Sequence, residues 1–197
     1  TIGDEDQTNA IWQAADCDGD GETNGTEIAN GSDPYDPCVV SGAQTIPAPT
    51  TPNYDVWAAA DCDGDGETNG TEIMNGTDPF DSCSVTTPTV QVDPMSPGTA
   101  AQAAYDVWAA GDCDGDGTPN GVDTAPYDPC VDDGTTGDED VTNAIWQAAD
   151  CDGDGTPNGV DTAPYDPCTD DGTIGDEDQT NAIWQAADCD GDGETNG

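Results

Sequence analysis

DCDGDGETNGTEIANGSDPYDPC, residues 16–38, is the stretch whose reading decides the fold. With Asp16 as position 1, carboxylates fall at positions 1, 3 and 5 (Asp16, Asp18, Asp20), and Gly21 at position 6 permits a sharp turn. Glu22 offers its backbone carbonyl at position 7, Asn24 stands at 9, and Glu27 at 12 can bind through both oxygens. This is the oxygen spacing of a twelve-residue calcium loop. Calcium suits it because it takes about six to eight hard oxygens in flexible geometry, where magnesium demands a tighter octahedron.

The string DCDGDG returns at Asp61, Asp112, Asp150 and Asp188, in steps of 45, 51, 38 and 38 residues. The second loop offers Asp61, Asp63, Asp65, Glu67, Asn69 and Glu72 at the same positions. The third offers Asp112, Asp114, Asp116, Thr118, Asn120 and Asp123, and the fourth Asp150, Asp152, Asp154, Thr156, Asn158 and Asp161. The fifth begins with Asp188, Asp190, Asp192, Glu194 and Asn196. In the third and fourth loops an aspartate at position 12 reaches less far than glutamate, so it binds through one oxygen or through water. Asp33, Asp36, Asp78, Asp81, Asp128 and Asp166, near the closing cysteines, are candidates for a second ion site; turn chemistry at Asp-Pro is the competing reading.

Residues 1–25 recur unchanged as 173–197, a period of 172, which points to a window of a longer repetitive polypeptide. Long-type repeats occupy 1–38 and 54–83, each followed by a Pro/Thr-rich linker, 39–53 and 84–100, expected to be extended and semi-rigid. Short-type repeats occupy 101–130 and 131–168, joined by acidic connectors, and residues 169–197 start the next unit. A tryptophan precedes each loop by four residues, in segments such as DQTNAIWQAAD. There Asp6 is expected to cap a helix of two or three turns with Ile11, Trp12 and Ala15 on one side. The fold class that follows is mostly irregular, calcium-stabilised tandem repeats with short helices and little sheet, drawn out as an elongated rod or fibre.

The chain has no Lys, Arg or His and 44 acidic residues, a formal charge of -44. An outside cation must neutralise these carboxylates. Nucleic acid and anionic membrane surfaces are excluded as electrostatic partners, and no apolar run is long enough for membrane insertion. There is no leucine, and Ile, Val and Phe together number 20, a composition that signals disorder unless staples supply what a core lacks.

Nine cysteines supply one kind of staple. Their spacing suggests bridges inside each repeat, Cys17–Cys38, Cys62–Cys83, Cys113–Cys130 and Cys151–Cys168, with the partner of Cys189 outside residues 1–197. Each would restrict the unfolded chain by roughly 3 kcal/mol in the entropy model. Zinc or iron–sulfur ligation would want C-x-x-C pairs or histidine, and neither occurs. An oxidising compartment follows, extracellular or at the cell surface.

Paired EF-hands and dockerin modules use a similar loop but need an outgoing helix, which is expected to be missing here because Gly31 and Pro34 stop any helix within two turns, and Pro119 and Pro157 occupy the position-8 bridge of a paired hand. The chain instead resembles bacterial thrombospondin type 3 repeats, with the DxDxDGxxNxxE pattern and a G-[ST]-D-P turn over Asp16–Asp36 and Asp61–Asp81, and shortened forms elsewhere. That resemblance implies a calcium-organised rod or stalk on a bacterial surface. Thr124 and Thr162, in D-T-A, resemble O-glycosylation acceptors, and N-G-[ST] at Asn24, Asn30, Asn69 and Asn75 matches the N-linked one.

With no His, Lys or Arg and no core to shape a pocket, no enzyme and no catalytic residue are expected. The expected function is structural: a calcium-rigidified fibre or stalk whose partners are calcium ions and other copies of itself. The alternative is a calcium-dependent adhesin that binds glycans through Tyr35, Tyr127 or Tyr165.

Overall fold

The computed structural model describes residues 6–131, 137, 139–169, 175 and 177–197. Among the described residues there are seven short helices and no strand, so the chain is mostly irregular, as its composition requires. It divides into two compact units, Thr1–Ala109 and Ala110–Gly197.

Five helices lead into loops: α1 (Ala10–Gln13), α3 (Tyr54–Ala59), α5 (Ala100–Ala110), α6 (Ala144–Ala148) and α7 (Ala182–Ala186). Two follow the long-type loops, and these are labelled α2 (Asn24–Asn30) and α4 (Asn69–Asn75). The cap of α1 is Asn9, whose Oδ1 accepts from the N–H groups of Ile11 (2.9 Å) and Trp12 (3.4 Å). Asp6 instead closes a turn on Thr8 N–H at 3.0 Å. The helix therefore starts three residues later than Asp6 capping predicts, spans four residues, and leaves Ile11 84% exposed. An amide three residues nearer the tryptophan outcompetes the carboxylate because it reaches two of the orphan N–H groups of the first turn.

Helix α2 forms because Thr23 caps it, accepting from Thr26 N–H, and Gly31 ends it at φ 88° with its N–H on the Glu27 carbonyl at 2.7 Å. An outgoing helix thus exists in the long repeats, where two turns fit before Gly31. The short repeats are four residues shorter and carry Pro119 or Pro157 where the long ones have the threonine cap. There the Pro119 carbonyl accepts from Val122 and Asp123 in a single turn, and no helix follows.

The apolar interior is a set of small clusters around the tryptophans. Trp57, Trp108 and Trp146 are buried. Trp57 lies 5.6 Å from Tyr54 and 6.3 Å from Phe80 between ring centroids, and the Trp12 indole N–H donates to the Tyr35 hydroxyl at 3.3 Å. Each such cluster contributes only a few kcal/mol.

The disulfides correct the pairing expected from spacing. Cys38 bonds Cys62, Cys130 bonds Cys151, and Cys168 bonds Cys189. Cys83 and Cys113 are disulfide-bonded as well, and Cys17 is a free thiol. The pairs Cys17–Cys38, Cys62–Cys83, Cys113–Cys130 and Cys151–Cys168 are therefore not formed. The closing cysteine of one repeat bonds the position-2 cysteine of the next. The reason is packing: the leading segment of each repeat sits on the loop before it. In the first unit the Asn53 side-chain amide donates to the Asp16 carbonyl at 2.6 Å. In the second, Asp140 N–H meets the Gly115 carbonyl at 2.9 Å, and Asp178 N–H meets Gly153 at 2.9 Å. The approach requires glycine. At Gly19, φ +82°, a Cβ would lie 2.1 Å from the Asn53 carbonyl oxygen.

The Pro/Thr linkers fold back instead of standing clear as spacers. Glu22 accepts from Ser41 N–H (3.0 Å) and Ser41 hydroxyl (2.5 Å). Glu67 likewise accepts from Thr86, and Gln91 Nε2 donates to the Asp65 carbonyl at 2.5 Å. Among the described residues no helix is long and apolar enough to cross a membrane.

Candidate metal centres

Each loop gathers its carboxylates within one small volume. In the groups Asp16/Asp18/Asp20, Asp61/Asp63/Asp65, Asp112/Asp114/Asp116, Asp150/Asp152/Asp154 and Asp188/Asp190/Asp192, one oxygen from each residue lies within 4.8 Å of the others. The first four groups are largely buried, and the fifth is exposed.

The oxygens divide by task. At position 1, Asp16 holds the loop together: Oδ1 accepts from Gly19 N–H at 2.7 Å and Oδ2 from Gly21 N–H at 3.1 Å. At positions 3 and 5, one oxygen accepts from a backbone N–H, Asp20 onto Asp18 at 3.4 Å and Glu22 onto Asp20 at 2.6 Å. The other oxygens, Asp18 Oδ2 and Asp20 Oδ2, are buried without a hydrogen-bond partner, as are both carboxylate oxygens of Glu27. The second loop repeats this with Asp63, Asp65 and Glu72, and Glu27 and Glu72 are 0% exposed. In the short loops Asp114 Oδ2, Asp116 Oδ2, Asp152 Oδ2 and Asp154 Oδ2 are in the same state.

Burial pushes these acids up, and their neighbours' charges add to it. Glu27 and Glu72 rise to about 8, chiefly by desolvation and then by Asp18 and Asp63 respectively. Desolvation likewise lifts Asp18, Asp63 and Asp114 to about 7, and Asp65 and Asp152 to about 6. Buried anions without partners are costly. A chain with no cation of its own has nothing internal to neutralise them. Convergent hard oxygens with no soft or nitrogen donor beside them fit an oxygen-loving divalent cation such as calcium.

Position 9 departs from the spacing-based assignment. Asn24 Oδ1 accepts from Cys17 N–H at 3.1 Å, while Nδ2 donates to the Trp12 carbonyl at 2.9 Å and lies 3.2 Å from Cys17 Sγ. Asn69 makes the same three contacts, and Asn120, Asn158 and Asn196 bond the position-2 cysteine in the same way. The asparagine braces the loop against the leading helix, whose last carbonyls are open to a donor. At position 7, where the backbone carbonyl is the expected ligand, the side chains take on separate roles. In the long repeats the Glu22 and Glu67 side chains hold the linkers. In the short ones Thr118 and Thr156 are 5% and 4% exposed with unpartnered hydroxyls, a side-chain oxygen that spacing alone did not reveal.

The second-site candidates fall into turns. Asp33 accepts from Tyr35 N–H, Asp36 from Cys38, Asp78 from Phe80, Asp81 from Cys83, Asp128 from Cys130 and Asp166 from Cys168, all at 3.1–3.2 Å. Of these, Asp81 adds its charge to the forces that raise Asp65. Tyr35, Tyr127 and Tyr165 are half-buried, and Thr124 and Thr162 are exposed. Compared with family models, curated proteins and solved structures, the chain matches none of them.

Proposed function

We propose that this chain is a structural protein of an oxidising, extracellular setting, in which calcium ions in the DxDxDG loops hold successive repeats in a fibre or surface stalk. The observation that carries this reading is the set of buried, unpartnered carboxylate oxygens recurring in four successive loops of a chain without cations. Asp18, Asp20 and Glu27 would hold the first ion, Asp63, Asp65 and Glu72 the second, and Asp114, Asp116 and Asp123, then Asp152, Asp154 and Asp161, the next two. Inter-repeat disulfides support the same reading, since a bridge from each repeat to the next transmits tension along an array. The resemblance to thrombospondin type 3 repeats agrees with it in loop pattern, although the outgoing helices α2 and α4 and the tryptophan-bearing leading helices are additions to that pattern.

The test is removal of the ions. On chelation, the tryptophan emission of Trp57, Trp108 and Trp146 is expected to shift to the red and the near-ultraviolet circular dichroism to collapse, both recovering with calcium and not with magnesium. Unchanged spectra in excess chelator would overturn the reading. Electron microscopy of calcium-loaded material separates fibre from adhesin: filaments with a regular axial repeat support the first, isolated chains that retain glycan affinity the second.

A further inference from the structure

The third and fourth ion loops are joined by a helix too short to stand alone. Helix α6 has five residues, where an isolated helix needs about 12–15 to be even marginal in water, so its order comes from what holds its two ends. The third loop holds the first end. The Asn143 carboxamide uses both of its sides there: Oδ1 caps the helix, accepting from Ile145 N–H at 2.8 Å and Trp146 N–H at 3.3 Å, while Nδ2 donates to the Cys113 carbonyl at 3.3 Å. Cys113 stands between Asp112 and Asp114, inside the aspartate triplet. Asp140 N–H on the Gly115 carbonyl, at 2.9 Å, is a second bond to the same loop. A Cβ on Gly115, at φ +83°, would lie 2.5 Å from the Asn143 Cβ, so the two segments meet without slack.

The fourth loop holds the other end. Asn158 N–H donates to the Ala149 carbonyl at 2.7 Å, and Gly159 N–H to the Gln147 carbonyl at 3.1 Å. Asn158 Oδ1 in turn accepts from Cys151 N–H at 3.2 Å, so position 9 ties the end of the helix to position 2 of the fourth loop.

From these two attachments we infer that ion binding at the third and fourth loops is cooperative, with Asn143 as the positioning residue that couples them. The inference deepens the calcium reading and rests on it. Without an ion, the carboxylates of Asp114, Asp116 and Asp123 have no counter-charge, and the third loop opens to solvate them. The Cys113 and Gly115 carbonyls then lose their fixed places, Asn143 loses its acceptor, and the fourth loop must order α6 unaided. An ion in the third loop removes that demand and so raises affinity at the fourth. By linkage, an ion in the fourth loop raises affinity at the third by the same factor. Such coupling runs between nearest neighbours, as in other linear arrays. The arrangement recurs: the Asn181 amide donates to the Cys151 carbonyl at 3.3 Å, and in the first unit the Asn53 amide donates to the Asp16 carbonyl while Asn69 N–H meets Ala60 at 2.8 Å. The Cys130–Cys151 disulfide bridges the same two repeats, but it starts from the end of repeat 3 and not from its ion loop, so it tethers the fourth loop without sensing the third.

The experiment titrates the full chain, carrying heavy-nitrogen glycine, with calcium. The Gly117 and Gly155 amides donate to Asp112 Oδ2 at 3.1 Å and Asp150 Oδ2 at 3.0 Å, so their resonances report the two loops separately. Disabling the third loop with Asp114→Asn and Asp116→Asn is expected to raise the calcium midpoint of Gly155 about tenfold. Disabling the fourth with Asp152→Asn and Asp154→Asn should raise that of Gly117 by the same factor. Asn143→Ser keeps a capping oxygen but cannot span to Cys113, and in that background disabling the third loop is expected to move the Gly155 midpoint by less than about twofold. Asn143→Asp, a cap without the amide donor, is expected to uncouple the loops in the same way, and tryptophan emission in saturating calcium checks that each variant folds. A Gly155 midpoint indifferent to the third loop, unequal reciprocal shifts, or a tenfold shift that survives in both Asn143 variants would each overturn the inference. A native chain whose Gly117 and Gly155 signals ignore calcium would instead overturn the calcium reading beneath it.

Discussion

The long and short repeats run through the same six residues, DCDGDG, and then solve the rest of the ion site differently. In the long repeat the chain continues into helix α2 or α4, whose first turn carries Glu27 or Glu72 into the site with both oxygens unpartnered. In the short repeat a proline replaces the cap, the helix is lost, and Asp123 arrives with one oxygen already holding Ala125 N–H at 2.7 Å. Position 7 changes in step. A glutamate there ties down a Pro/Thr linker, whereas a buried threonine faces inward where an acidic connector follows. The difference teaches that the site is assembled from whatever the following segment permits, around an invariant aspartate triplet.

The sharpest way to break this comparison is to remove one negative charge at position 12 in each type. Glu72→Gln leaves a buried site short of its bidentate ligand, and its calcium affinity is expected to fall by roughly 3 kcal/mol, about a hundredfold. Asp123→Asn is expected to cost about tenfold, because Asp123 has less to give. Calorimetric titration of the two variants measures both losses, and equal losses would erase the distinction.

Proton competition gives a smaller effect with a definite sign. In the unfolded chain these carboxyls titrate near 4. Folding without calcium raises Glu27 and Glu72 to about 8 and Asp114 to about 7. Between those limits the folded chain binds more protons than the unfolded one, so its stability falls as pH rises from about 4 to about 8. In chelator, the melting temperature should therefore drop from about pH 5 to about pH 8. In saturating calcium the trend should reverse, because the ion replaces the protons. The long repeats, with acids raised highest, should respond up to the higher pH. A chelated chain that melts later at higher pH would contradict the burial of these anions.

Much of this was legible in the residues. The aspartate triplets, the shortness of the helices and the absence of described strands follow from spacing and from a composition with no leucine. The disulfide register did not, and the reason is arithmetic. Cys130 to Cys151 spans 21 residues between repeats, and Cys17 to Cys38 spans 21 within one, so separation cannot tell the two pairings apart. Only the seating of each leading segment on the preceding loop decides it. Asn24 was misread for a related reason. An amide at position 9 serves an ion or a backbone equally well; here its oxygen accepts from Cys17 N–H while its NH2 donates to the Trp12 carbonyl. The cap at Asn9 was hidden by Asp6, an equally good capping residue three positions earlier.

The finest probe of the comparison is Thr118→Val, which swaps a hydroxyl for a methyl of the same shape. Thr118 N–H bonds Asp116 Oδ1 at 2.7 Å, beside a carboxyl that desolvation raises. The hydroxyl therefore lies beside the cluster, buried and without a partner of hydrogen-bond geometry. An unpartnered buried hydroxyl costs about 1–3 kcal/mol, so removing it should leave the calcium-free chain as stable or more so. If the oxygen serves the ion, the same change should weaken calcium at the third loop by about tenfold, worth about 1.4 kcal/mol. The two effects have opposite signs, so thermal melts in chelator and in calcium separate them within one variant. Stabilisation in both conditions would show that the short loop relies on Asp123 alone to replace the glutamate of the long one.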